Sequence, residues 1–191
     1  MKMKLSTFTL IAAAAFSLAA CSQQAETSVP ADAVQETASA DAENSVQTLT
    51  SSDGKINIVI QNGNFEDISH DPATLPDGIT EEELTLLQHD AGRNISIYVA
   101  NLGTPKTDAK SYFNNLKTAL ESTEGLSEVQ TGAATDTRMN YRFVQNNDAG
   151  DMLRENCISI YETNLYNVCA SSTSAPQEEL AGVLKEVNLV N

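Results

Sequence analysis

Polar and apolar residues alternate along Lys55-Ile56-Asn57-Ile58-Val59-Ile60 behind an Asp53-Gly54 turn, so Ile56, Ile58 and Ile60 share one face of a predicted strand. Leu84 to His89 and Asn94 to Leu102 read as a second pair of strands, with Asp90-Ala91-Gly92 as the turn chemistry between them and Ile95, Ile97, Tyr98 and Val99 as strand formers. Thr80-x-x-Glu83 has the spacing of a capping box and offers a competing short helix just before Leu84. After Pro105 the period changes. Ala109, Tyr112, Phe113, Leu116 and Leu120 recur at helical spacing while Lys110, Asn114 and Lys117 take the other face, which predicts a helix from about Ala109 to Ser122. Thr107 or Asp108 would cap it and Gly125 would close it.

Leu126 to Thr131 and Arg138 to Gln145 follow as strands. In the second, Met139, Tyr141 and Phe143 point one way and Arg138, Asn140 and Arg142 the other, so both arginines are expected in solvent rather than at an anion site. A last helix is expected from about Pro176 to Val187. Ser174 precedes it, Pro176 sits in its first turn, Glu178 and Glu179 lie near its positive end, and Leu180, Val183, Leu184 and Val187 form its buried face.

Cys157 and Cys169 flank Glu162-Thr163-Asn164 in a stretch that reads as a hairpin. A register centred on Thr163 sets Ile158 opposite Val168 and Ile160 opposite Tyr166, and it puts Cys157 opposite Cys169 on the other face with Ser159 and Asn167. Cross-strand Cα separations of about 4.5 to 5.5 Å suit a disulfide. A structural bridge is the first reading; free thiols, or a redox or metal role, are the alternatives. A redox site would want C-x-x-C at a helix start, and zinc would want more than two cysteine ligands.

Strand, strand, strand, helix, strands, helix implies an α+β fold, a mainly antiparallel sheet packed by helices. The order and texture of the Lys55 to Ile60 strand, the Asp90-Ala91-Gly92 hairpin, the Pro105-Lys106-Thr107-Asp108 helix start and a closing Leu184 to Leu189 segment resemble the DcrB family of envelope lipoproteins. The resemblance implies a Mog/PsbP-like α/β/α sandwich and a non-enzymatic envelope protein, and it brings no catalytic residues with it.

The N-terminus supplies an address. Met1-Lys2-Met3-Lys4 gives a charged start, Leu5 to Ala20 an apolar core too short to span a bilayer comfortably, and Leu18-Ala19-Ala20-Cys21 reads as a lipobox. Residues 1–20 are therefore expected to be a lipoprotein signal peptide and Cys21 the lipidated residue that anchors the chain in a membrane. An ordinary secretory signal and an uncleaved anchor are the alternatives. In lipoproteins generally an Asp after the cysteine favours the inner membrane, so Ser22 leans toward the outer membrane, with the protein facing the periplasm.

Composition sharpens the partner class. The chain has 11 basic and 26 acidic residues; removing residues 1–20 takes away Lys2 and Lys4 and leaves 9 and 26, a formal charge of −17. Nucleic acid is not expected as a partner, because its electrostatic footprint is a basic patch. From Ser22 to about Gln47 the chain is polar and acidic with no aromatic residue, and Glu26, Asp32, Glu36, Asp41 and Glu43 have no compensating cation. Residues 21–47 are thus expected to be a disordered tether, of about 30 Å on average and about 90 Å fully stretched. Residues 48–191 would form a single α+β domain.

Chemistry is sparse. His70-Asp71 and His89-Asp90, with Glu81-Glu82-Glu83 between them, could ligate a metal, but neither pair has H-E-x-x-H spacing and both adjoin turn residues, so solvated histidines and no metal are expected. No G-x-S-x-G, P-loop or G-x-G-x-x-G motif occurs. The sequence reading is a non-catalytic, cofactor-free binding or adaptor module that engages an envelope protein. The alternatives are a periplasmic carrier with an apolar pocket at Tyr112, Phe113, Met139 and Tyr141, and a hydrolase whose carboxylates converge only on folding.

Overall fold

Two antiparallel sheets share the described residues. The computed structural model describes residues 45–71, 74–146 and 150–190; the expected signal peptide, Cys21 and all but the end of the expected tether lie outside them. The smaller sheet has the order β1-β2-β10, from β1 (Val46–Thr50), β2 (Ile56–Gln61) and β10 (Glu186–Leu189). The larger has the order β3-β4-β5-β9-β8-β7-β6, from β3 (Glu66–Asp67), β4 (Leu84–Asp90), β5 (Ile95–Asn101), β6 (Leu126–Thr131), β7 (Arg138–Asn146), β8 (Met152–Tyr161) and β9 (Leu165–Ser172). Helix α1 (Ala109–Ser122) joins β5 to β6, and α2 (Gln177–Val183) joins β9 to β10.

The fold is α+β, as expected, mainly antiparallel sheet packed by helices. One face of the large sheet packs on the small sheet and α2: Ile56, Ile58 and Ile60 meet Ile95, Ile97, Val99, Ile158, Ile160 and Val168, with Leu180 and Val183 of α2. The other face packs on α1, where Phe113 and Leu120 meet Leu87, Tyr98, Met139, Tyr141 and the two cysteines. The large sheet therefore lies between α1 on one side and α2 with the small sheet on the other.

Two of the differences have local causes. The last helix stops at Val183, and Val187 lies on β10 opposite Ile58. Beyond Leu184 the burial alternates, exposed Glu186, buried Val187, exposed Asn188, which is strand periodicity, and β2 has an open edge for it to fill. Its N-cap is Pro176, with no side-chain cap bond, and not Ser174. The domain also starts before residue 48, because β1 includes Val46 and Gln47. Gln47 spends both ends of its amide on Phe65, Nε2 donating to the carbonyl at 2.8 Å and Oε1 accepting from the N–H at 2.9 Å.

Helix α1 keeps its expected bounds. Asp108 is its N-cap and accepts from the Ser111 N–H at 3.0 Å, a bond that holds the Asp108 carboxyl below the usual range. Its C-cap is Thr123, and Gly125, at φ 87°, makes the turn into β6 that a side chain would resist. Both readings of Thr80 to Glu83 are realised. The Glu83 carboxylate accepts from the Thr80 N–H at 3.0 Å and the Thr80 hydroxyl accepts from the Glu83 N–H at 3.3 Å, yet this box closes a single turn and the strand begins at Leu84.

Candidate functional site

The register of the large sheet aligns side chains into rows. His89, Ser96, Ser171 and Glu155 fall opposite one another across β4, β5, β9 and β8, and Leu87, Tyr98, Cys169, Cys157 and Tyr141 form the next row. Both rows face the α1 side. A helix of 14 residues is about 21 Å long, whereas seven strands span about 29 Å, so α1 cannot roof the whole face. It lies against β6 and reaches β8 through Tyr112 on Ser159, and Ile68 and Ile79, from the connection between β3 and β4, pack against the same cluster.

A cleft of about 190 Å³ opens at that margin. Thr74, Leu75, Pro76 and Asp77 form one wall; Leu87, Ser96, Tyr98, Leu153, Glu155 and Ser171 form the floor and the other wall. Glu155 is 7% exposed. Its Oε2 accepts from the Tyr98 hydroxyl and its Oε1 from Gln145 Nε2, both at 3.3 Å. Burial pushes the Glu155 carboxyl up to about 7; the Tyr98 hydrogen bond opposes that shift and the Asp77 charge adds to it. Burial and the neighbouring Glu155 also raise the Tyr98 hydroxyl well above its ordinary range. A carboxyl that titrates near neutrality can give or take a proton, which makes this the most chemically poised group among the described residues.

The same row carries a serine and a histidine in contact, Ser96 Oγ 3.0 Å from His89 Nδ1. A nucleophilic dyad needs its imidazole oriented by a third group. Among the described residues no hydrogen bond reaches His89 Nε2. As drawn, the cleft offers hydroxyls and a switchable carboxyl, a set suited to holding a polar ligand.

Cys157 and Cys169 are bridged, in the register read from the sequence, with their Cα atoms 4.1 Å apart. They face α1 with Ser159, which is fully buried and paired with the Tyr112 hydroxyl at 3.0 Å. Cys157 Sγ stands 3.9 Å from Glu155 Oε2. Glu155, Cys157 and Cys169 do gather as three metal-type donors, but bridged sulfurs are not thiolate ligands, which leaves one carboxylate. His70 is exposed in a turn. His89 lies on β4 rather than in a loop and is half-buried, and neither histidine joins a cluster of three such donors among the described residues.

Glu155 escaped the sequence reading, although a signal was there: it shares strand parity with Cys157 and Ser159, so the register that pairs the cysteines also turns it inward. Arg138 differs from expectation as well. It is half-buried and donates Nη1 to the Val187 carbonyl at 3.0 Å, because β10 lies against that end of β7 where a helix was expected.

No family model matches this chain, and no curated protein matches it. Among solved structures the chain is similar to the solution structure of cyanobacterial PsbP (CyanoP) from Synechocystis sp. PCC 6803, at TM-score 0.45 and 11% identity, over 79% of this chain and 96% of that one. No helix among the described residues is long and apolar enough to cross a membrane.

Proposed function

We propose that this protein is a DcrB-like envelope lipoprotein, anchored through Cys21 in the outer membrane and facing the periplasm, that works as a non-catalytic binding or adaptor module for another envelope protein. One observation carries the choice between binding module and carrier. Phe113, Met139 and Tyr141 are buried in one cluster and the half-buried Tyr112 packs against it with its hydroxyl on Ser159, which supports a filled interior over an apolar ligand cavity. The lipobox and the acidic stretch after it support anchoring at a distance: a tether raises the effective concentration of the domain near its membrane without any new contact.

The test is complementation of a deletion strain. A form exported by an ordinary signal peptide and lacking Cys21 should complement poorly, while His70→Ala with His89→Ala should complement normally. A second reading, an acid–base enzyme, is favoured by the Glu155 cleft alone. Full function of the unanchored form together with loss of function in Glu155→Gln would select that reading and discard the adaptor.

A further inference from the structure

Three of the chain's four arginines stand on one face of the large sheet and share an unusual property. Arg138 donates to the Val187 carbonyl, Arg142 donates Nε and Nη2 to Gln130 Oε1 at 3.1 and 2.7 Å, and Arg154 donates to the Thr173 carbonyl. Every acceptor is neutral. Arg93, in contrast, is paired with Asp90 at 2.8 Å. With 26 acidic residues against 11 basic ones, a carboxylate would be the commonest partner to find, yet among the described residues no ion pair reaches Arg138, Arg142 or Lys185. The Arg138 and Arg142 guanidinium groups are thus oriented by hydrogen bonds to neutral acceptors.

Two adjoining clefts lie on that face. The larger, about 390 Å³, runs between β7–β8 and the α2–β10 turn; it holds Arg138 and Lys185 above an apolar floor of Ile158, Leu184 and Val187. The smaller, about 210 Å³, holds Arg142. Asn140 and Asn156 line both, so the clefts are neighbours along one groove, and no carboxylate lines either. Arg154 lies beyond Gln177, which bonds Asn156, and stays outside.

We infer that this groove binds an extended acidic segment of a partner protein. Arg138 and Arg142 are four residues apart on one strand, hence about 13 Å. Two carboxylates four residues apart in an extended peptide have the same separation, and guanidinium groups take carboxylates in bidentate geometry. Asn140 lies between the two charges on β7 where a peptide group would pass, Asn156 stands across from Arg142 with its amide nitrogen on Gln177, and the apolar floor accepts a small side chain between the acids. The inference deepens the adaptor reading by naming its partner's chemistry.

The experiment uses the full mature chain in neutral phosphatidylcholine nanodiscs at low salt, and reads fluorescence anisotropy of a labelled peptide that carries two glutamates four residues apart in a Ser/Thr background. This peptide should bind, its glutamine counterpart should not, and salt should weaken the complex. Arg138→Gln with Arg142→Gln should weaken binding about tenfold or more, Arg138→Lys with Arg142→Lys should weaken it by a smaller factor because an ammonium keeps the charge but not the bidentate pairing, and Lys106→Gln with Lys110→Gln, which removes the same charge elsewhere, should change it less than about twofold. Unchanged melting of each variant establishes that the fold survives. Equal losses in the arginine and lysine pairs would reduce the effect to net charge and overturn the groove. Phosphatidylglycerol nanodiscs that shift the arginine side-chain resonances, with no peptide binding, would overturn it in favour of a lipid headgroup. Because the measurement is made on purified chain, it is independent of whether the anchor matters in cells.

Discussion

The two faces of the large sheet are covered in different ways, and their chemistry follows the cover. Against the small sheet the contact is sheet on sheet, two pleated surfaces of similar shape about 10 Å apart, filled largely by Ile and Val. The buried polar groups on that side lie at its edge: Asp90, opposite Ile95 at the end of β4, is 3% exposed and paired with Arg93, and Ser172 ends β9. Against α1 the contact is a cylinder on a broader surface, and the interior there holds Tyr98, Met139, Tyr141, a disulfide, Ser159 and, at the margin, Glu155. Polar groups persist where the roof ends. A buried polar group costs free energy unless it has partners, and it keeps them more readily beside a cleft than between two flush sheets.

The largest expected effect comes from breaking the sheet-on-sheet face. Ile58 is fully buried at the centre of the small sheet, flanked by Leu49 on β1 and Val187 on β10. Ile58→Ala should lower the unfolding free energy by about 4 kcal/mol, since both sheets limit collapse into the void. Urea denaturation measures it. A loss under about 2 kcal/mol would mean that this face relaxes easily and that the contrast between the two covers is overdrawn.

That contrast was partly legible in the sequence. Period-two patterning at Ile56, Ile58 and Ile60 and period-3.6 patterning from Ala109 to Leu120 marked one strand face and one helix face correctly, because each element's burial is set by a single neighbour. The hairpin register came out to the residue, since hydrophobic matching and cysteine pairing selected the same alignment. The C-terminal segment failed because Leu180, Val183, Leu184 and Val187 fit a helical stripe, while the fate of Val187 depended on the open edge of β2, a partner more than a hundred residues away. The cleft was invisible for a related reason. Its row joins four strands, and only the β8–β9 register was known beforehand.

A pH titration of stability addresses the margin of the α1 face. The Glu155 carboxyl sits at about 7 in the folded protein against 4.5 in the reference state, so between those values the folded chain holds a proton that the unfolded chain has released. Stability therefore falls as pH rises from about 4.5 through about 7 and levels off above, by an amount on the order of 3 kcal/mol. Asp53, Asp67, Asp90 and Asp108 act with the opposite sign in a lower window. Their folded values are depressed, so they lose their contribution only as pH falls below the ordinary carboxylate range. Glu155→Gln should abolish the decline, with higher stability than the parent at pH 8 and little change at pH 5. Equal denaturation midpoints for the parent at pH 5 and pH 8 would show that water reaches Glu155 and that the margin is not dry.

The disulfide gives the smallest effect and separates the two faces most directly. It closes a short loop, with a sequence separation of 12, so reduction should cost about 2 to 3 kcal/mol, seen as a lower melting temperature; intact mass should lie about 2 Da below that of the reduced chain. Both cysteines face α1, so hydrogen exchange after reduction should rise in β8, β9 and α1 before it rises in β2. Reduction also changes what Glu155 meets. A free Cys157 thiol, 3.9 Å from Oε2, would gain a proton to donate to the carboxylate, which stabilises the charged form and moves the pH-dependent decline to lower pH. Reduction that loosens β2 as early as β8, with the pH profile unmoved, would show that the two faces unfold as one unit and that bridge and carboxyl are not coupled.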